Sequence, residues 1–217
     1  MNHTFSFPGL KITEVVNDVP ISVPSLVLRD KGLTSIIGRS GVGKSTILRS
    51  IFSSLSSGGS LSPGFAPEQN SHASEKYIQR YRRVFYLPQD VGLLSEPLHV
   101  NVALKRCVSE KEHLRIRQLL HSLRLNSELL ETRLSPADYS SELSPLSGGE
   151  KKRIGIARSL FSSACYILLD EPTSGIDEMQ ESDIISLLLR ECHDKSIVVV
   201  THSAKLVQRS SQVFEIH

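Results

Sequence analysis

The runs CYILLD (165–170) and SIVVVTH (196–202) are apolar almost without interruption, with no alternation of polar and apolar positions. Continuous hydrophobicity over four or five residues fits strands buried on both faces, as in a parallel sheet covered by helices. Between them, EMQESDIISLLLREC has helical spacing, so the order is strand, helix, strand. GLTSIIG (32–38) is another short β-rich run. In STILRSIFSSL behind it, Ile47, Ile51 and Leu55 recur four residues apart on one helix face. RVFYLPQD (83–90) reads as a buried strand ended by Pro88.

The remaining stretches differ in character. Ser53 to Ser74 is rich in Ser, Gly and Pro and reads as loop. From Ser95 to Ser144 the pattern turns helical. Ser109 and Glu112 form a capping box, and Ile116, Leu119, Leu120 and Leu123 fall on one face. At 217 residues with 39% hydrophobic content, the chain suits one domain with an inserted lobe. A net charge of +2 shows no strong basic excess, so nucleic acid is not expected as a partner, and Glu150 to Arg153 (EKKR) reads as a solvated helix face. Cys107, Cys165 and Cys192 lack metal-site spacing and read as reduced thiols. The opening MNHTFSFPGLKI has no basic segment followed by an apolar one, so no signal peptide is expected. The longest apolar runs are strand-sized, too short to span a bilayer.

The chemistry centres on GRSGVGKST, residues 38–46. Gly38-x4-Gly43-Lys44-Ser45 matches the phosphate-loop pattern and stands in the context that supports it, with a strand before and a helix after. Gly41 and Gly43 let backbone N–H groups turn inward around phosphate oxygens. Lys44 would meet the β- and γ-phosphates of a nucleoside triphosphate, and Ser45 would ligate Mg²⁺. Gly38, Arg39, Ser40, Gly41, Val42, Gly43, Lys44, Ser45 and Thr46 are therefore the candidate ATP-binding residues. The helix that begins here adds the positive end of its dipole.

Such a loop needs an acid for the metal and a group to orient water. Asp170 and Glu171 end an apolar strand, where successive side chains point to opposite sides. Taken alone they read as acids opening a surface turn. With the phosphate loop upstream in a parallel sheet, whose ligands sit at the carboxyl ends of strands, Asp170 reads as a Mg²⁺ ligand and Glu171 as the base for the hydrolytic water. His202 also follows a strand. It is either a polar cap or a donor that senses the γ-phosphate. Ser147, Gly148 and Gly149 open a helix in PLSGGEKKRIGIAR, either as an ordinary loop or as a second set of donors for phosphate.

Phosphate loop, LSGGE, ILLDEPTSGID and a strand ending in His, in that order, resemble the ATP-binding cassette (ABC) ATPase family over roughly Lys31 to His202. The resemblance implies an α/β fold: a P-loop nucleotide-binding core with a parallel central sheet, a small antiparallel β portion and an inserted helical lobe. The expected division is 1–92 and 146–217 for the core and 93–145 for the lobe. By the same resemblance, Gln89 is the glutamine that approaches Mg²⁺ and the γ-phosphate. Ser174 to Asp177 is the loop that crosses between two cassettes. Ser147, Gly148, Gly149 and Glu150 belong to the signature that meets the partner's nucleotide. Glu150 stands where the family usually has glutamine. No aromatic lies between Pro8 and Lys44 to stack on adenine, and an aliphatic residue near Ile12 is the candidate in its place.

The expected activity is ATP hydrolysis with ATP and Mg²⁺, driving a permease carried by a separate chain. It would use a cassette pair (a homodimer) at the cytoplasmic face of the membrane. A soluble ABC ATPase of DNA repair or translation is the alternative, although such relatives usually carry a long coiled-coil insertion or two cassettes. A module that binds ATP without catalysis is disfavoured by the presence of Asp170, Glu171 and His202.

Overall fold

The computed structural model describes residues 31–56 (without the Ser54 side chain), 84–94, 96–126 and 146–217. Upstream of these it describes the backbone of four strands. Those are β1 (Thr4–Phe7), β2 (Lys11–Val16), β3 (Val19–Ser22) and β4 (Leu26–Arg29). They pair antiparallel as β1 with β4 and β2 with β3. The small antiparallel portion therefore lies before the phosphate loop. Ile12 sits on β2 opposite Ile21 of β3, and its side chain lies outside the described residues.

Among the described residues, five strands form the central sheet: β5 (Gly32–Gly38), β6 (Val84–Leu87), β7 (Tyr166–Asp170), β8 (Ser196–Val200) and β9 (Gln212–Ile216). Their order is β6-β7-β8-β5-β9, and every pair is parallel. Helix α1 (Lys44–Ser56) follows β5. α2 (Leu98–Ala103), α3 (Glu110–Ser122) and α4 (Gly148–Phe161) lie between β6 and β7. α5 (Glu178–Glu191) links β7 to β8, and α6 (Ala204–Arg209) links β8 to β9.

Alternate residues of β7 and β8 feed two separate cores, which is why both strands are apolar throughout. Tyr166, Leu168, Val198 and Val200 pack with Ile47, Leu48 and Ile51 of α1. Ile167, Leu169, Ile197 and Val199 pack on the other face with residues of α3, α4 and α5. Each buried leucine, isoleucine or valine contributes roughly 1.5–3 kcal/mol.

Three expectations need correction. Ser53 to Ser56 belong to α1, not to the loop that begins at Ser53 in the sequence reading. Leu55 still faces the core there and extends the helical period by another turn. The loop assignment for 57–74 lies outside the described residues. RVFYLPQD is not a fully buried strand. Among the described residues β6 pairs only with β7, at the edge of the sheet, and Leu87 is its one fully buried residue.

Nor is EKKR a solvated face. Lys151 is exposed, but Arg153 is 7% exposed, and its guanidinium donates to the carbonyls of Leu123 (3.0 Å), Arg124 (3.3 Å) and Gly149 (3.3 Å). The end of α3 leaves carbonyls without helical partners, and Arg153 is the donor that satisfies them. Burial pushes this guanidinium below the usual arginine range, an effect that the neighbouring Glu150 and Asp177 oppose. Arg153→Met should therefore cost roughly 2–3 kcal/mol, because buried carbonyls lose a charged donor. Urea unfolding at neutral pH measures this, and an unchanged midpoint would refute the anchoring role.

Candidate functional site

The carboxyl ends of β5, β7 and β8 converge on a cleft of about 620 Å³, where Gly41, Lys44, Ser45, Gln89, Glu171 and His202 come together. Ser40, Gly43 and Thr46 also line it, whereas Gly38, Arg39, Val42 and Asp170 are not part of its lining. None of Ser147, Gly148, Gly149 and Glu150 lines it.

The loop's glycines do different jobs. At Gly41, φ is +79°, and an added Cβ would meet nothing within 4 Å, so this residue is chosen for conformation and leaves an open cradle. Gly38 is constrained by neighbours instead. A Cβ there would come 2.5 Å from the Ile216 carbonyl oxygen of β9. Lys44 is 7% exposed, and its ammonium folds back to the carbonyls of Gly38 (2.9 Å) and Arg39 (2.8 Å). A buried ammonium with only neutral partners, facing an open cradle, suits a phosphate group.

The sheet's alternation places the two acids. Asp170 continues the Tyr166–Leu168 parity and so faces α1. It is 3% exposed, with Oδ1 accepting from Ser45 Oγ (3.0 Å) and Oδ2 from Tyr86 Oη (3.2 Å). Glu171 then leaves the strand at φ +50°, a left-handed conformation uncommon for a side-chain-bearing residue. Its N–H donates to Val200 O (3.0 Å), and its carbonyl accepts from Ser174 N (3.2 Å). This bend carries the carboxylate into the cleft, where Oε1 lies 3.4 Å from His202 Nε2. The His202 side chain is 57% exposed. Asp177 caps α5 by accepting from Met179 N (3.1 Å) and Gln180 N (2.9 Å).

The signature segment is built as a helix start. Ser147 Oγ accepts from Glu150 N (3.2 Å), and Glu150 Oε2 accepts from Ser147 N (2.8 Å), a complete capping box. Glutamate at 150 thus serves the helix, a role the S-x-x-E spacing could have revealed. Ser147 and Gly148 are exposed, and a Cβ on Gly148 or Gly149 would meet nothing within 4 Å.

A family model described as "ABC transporter" matches residues 22–174, well over half of the chain. The chain belongs to the ABC transporter family. It is similar to the glutathione/L-cysteine transport system ATP-binding/permease protein CydC of Haemophilus influenzae, with 30% identity over 98% of this chain and 35% of that protein. It is also similar to the lipoprotein-releasing system ATP-binding protein LolD of Ehrlichia canis, with 30% identity over 93% of this chain and 89% of that protein. The chain thus spans about a third of CydC and most of LolD. A bacterial Atm1-family ABC exporter with ATP bound shares its fold, with a TM-score of 0.68 at 22% identity, over 99% of this chain and 37% of that one. Within the family this chain is the ATP-binding cassette, the ATPase domain.

Several residues around the cassette's cleft escaped the sequence reading. Tyr86 reaches Asp170 from β6, accepts a hydrogen bond from Arg49 of α1, and packs against Phe52 in a tilted pair with ring centroids 5.8 Å apart. Arg158 donates to Asn101 O (2.7 Å) and Gly92 O (3.1 Å). Buried Asn101 in turn binds the backbone of Leu94 through both of its amide atoms. The segment after Gln89 is thereby tied to α4. Only a side-chain motif of known spacing could have flagged these residues, and they have none.

Burial raises the Tyr86 phenol above its ordinary value of 10.0, and the Asp170 charge adds to this while the Arg49 bond opposes it. A folded value above the unfolded one means that the stability is fully present below the unfolded value. It is lost as pH rises through the folded one. Ultraviolet titration of the parent against Tyr86→Phe should show a late-ionising contribution that the substitution removes. A late amplitude that the substitution leaves unchanged would exclude Tyr86 as a source of it.

Proposed function

We propose that this cassette hydrolyses ATP to drive an integral membrane permease carried by another chain. It would work as a pair, with each ATP held between one copy's phosphate loop and the other's Ser147–Glu150. In this reading 1–92 and 146–217 form the nucleotide-binding core, and 93–145 form the helical lobe. The cassette works at the cytoplasmic face of the membrane, most simply as a homodimer.

The observation that carries the reading is the open first turn of α4. Ser147 and Gly148 are exposed, Gly148 and Gly149 have free space where a Cβ would be, and none of the three lines the chain's own cleft. The capping box takes up the N–H groups of Ser147 and Glu150 and leaves those of Gly148 and Gly149 for an anion, which here would belong to a second copy. The likeness to LolD across most of that protein's length supports a cassette separate from its permease. Among the described residues, no helix is long and apolar enough to cross a membrane. Nothing at the site favours the DNA-repair or translation alternative.

The residues divide the work as follows. Backbone N–H groups of 39–46 and the Lys44 ammonium hold the phosphates. Ser45 and Asp170 offer a hydroxyl and a carboxylate oxygen 3.0 Å apart, a hard oxygen pair that fits Mg²⁺. When bound, Mg²⁺ would neutralise phosphate charge. Glu171 takes a proton from the attacking water. His202 and Gln89 lie at the cleft mouth, where they orient the γ-phosphate and that water. Turnover per chain should rise with protein concentration until pairing saturates, measured by phosphate release over a dilution series. A rate per chain that is constant on dilution would contradict pairing. Recovery of the native protein with soluble partners alone, and no membrane protein, would contradict the transport reading.

A further inference from the structure

Three basic side chains of α4 each donate to backbone carbonyls of a different segment. Arg153 holds the end of α3, and Arg158 holds the segment after Gln89 through Gly92 O. Lys152 reaches the turn that follows β7: its Nζ donates to Ser174 O at 2.5 Å and lies 3.5 Å from Glu171 O. That turn begins with Glu171 in its left-handed conformation, a strained geometry that needs outside support. A lysine on a helix surface would ordinarily extend to water. Here it is bent onto the carbonyls of the residue that bears the hydrolytic carboxylate and of the residue that opens the next loop.

Lys152 also sits just above the first turn of α4, about 6 Å along the helix axis from Gly148. One rigid helical turn therefore connects the donors at Ser147–Gly149 to the ammonium that grips the Glu171 turn. We propose that Lys152 is a positioning residue that couples the two. Occupation of Ser147–Gly149 by the partner's nucleotide would set the Glu171 turn of the same chain, making hydrolysis at one site depend on ATP at the other. This inference rests on the paired-cassette reading above.

The test compares Lys152→Met, which keeps the aliphatic stem and removes the donor, with Lys152→Arg, which restores donors, in the full chain. Steady-state ATPase is measured against ATP concentration, alongside nucleotide affinity and thermal melting. Lys152→Met should lower kcat roughly tenfold, the effect expected when a charged hydrogen bond to a catalytic turn is lost. Its KM should stay within about twofold of the parent, a loss confined to turnover. Its cooperativity in ATP should disappear, and Lys152→Arg should recover both kcat and cooperativity. A merely structural lysine would leave cooperativity intact, so that outcome overturns the proposal. Equal losses in both variants, or a loss confined to KM, overturn it as well. A cooperative parent with an unaffected Lys152→Met overturns this inference alone. A non-cooperative parent whose rate ignores dilution overturns the pairing reading and this inference together.

Discussion

Glu171→Gln is expected to lower ATP turnover by roughly 10²–10⁴-fold, the range for removing a general base, while leaving nucleotide binding intact. The amide keeps the shape of the carboxylate and its place 3.4 Å from His202, but it cannot take the proton of the attacking water. The backbone that bends at Glu171 is held by Val200 O, Ser174 N and Lys152, none of which depends on the side-chain charge. The fold should therefore be unaffected. ATP should then accumulate unhydrolysed between two copies, and the variant should run as an ATP-dependent dimer in size exclusion. Continued turnover would remove Glu171 from the role of base. A monomer at saturating ATP would instead count against the paired arrangement.

Gly38→Ala should have the largest effect on the fold. The added Cβ would lie 2.5 Å from the Ile216 carbonyl oxygen and 3.1 Å from a Val42 methyl. The first of these is backbone of β9, locked in register by Gly38 opposite Ile216. A flexible side chain could turn aside, but a paired strand cannot without losing ladder bonds. The cost should be about 3 kcal/mol or more, above the usual range for overpacking, because the neighbour cannot yield. Because β9 lies beside the phosphate loop, ATP affinity should fall with stability. Denaturant unfolding and nucleotide titration measure the two effects. A variant of parental stability would mean that β9 is free to move. Gly41→Ala is the control: it meets no atom and should lose only what its positive φ imposes, about 1 kcal/mol.

The legible part of this protein was carried by local patterns. Unbroken hydrophobicity in CYILL and IVVV reports burial on both faces, and the structure feeds alternate residues of these strands into two cores. The phosphate loop places its glycines, Lys44 and Ser45 within eight residues, so turn chemistry and a helix start suffice to aim them. The Ser109–Glu112 capping box and the apolar face of α3 were equally readable. Such features depend on neighbours a few residues away, and the backbone's own periodicity positions them.

The less legible part depends on strand order, which no local pattern encodes. Ser45 meets Asp170 across 125 positions because β8 separates β5 from β7 and α1 lies over all three. Tyr86 joins them because β6 lies beside β7 in matching register. Gly38 looks like one more phosphate-loop glycine until β9 lies against it, and Lys152 and Arg153 look like solvated charges until distant carbonyls reach them. The sequence alone placed the phosphate loop, the Asp170–Glu171 pair and His202 at the carboxyl ends of strands. Tertiary structure decided which charges are buried, which glycines are pinned and which helix start stays open, because these follow from packing between segments far apart in the chain.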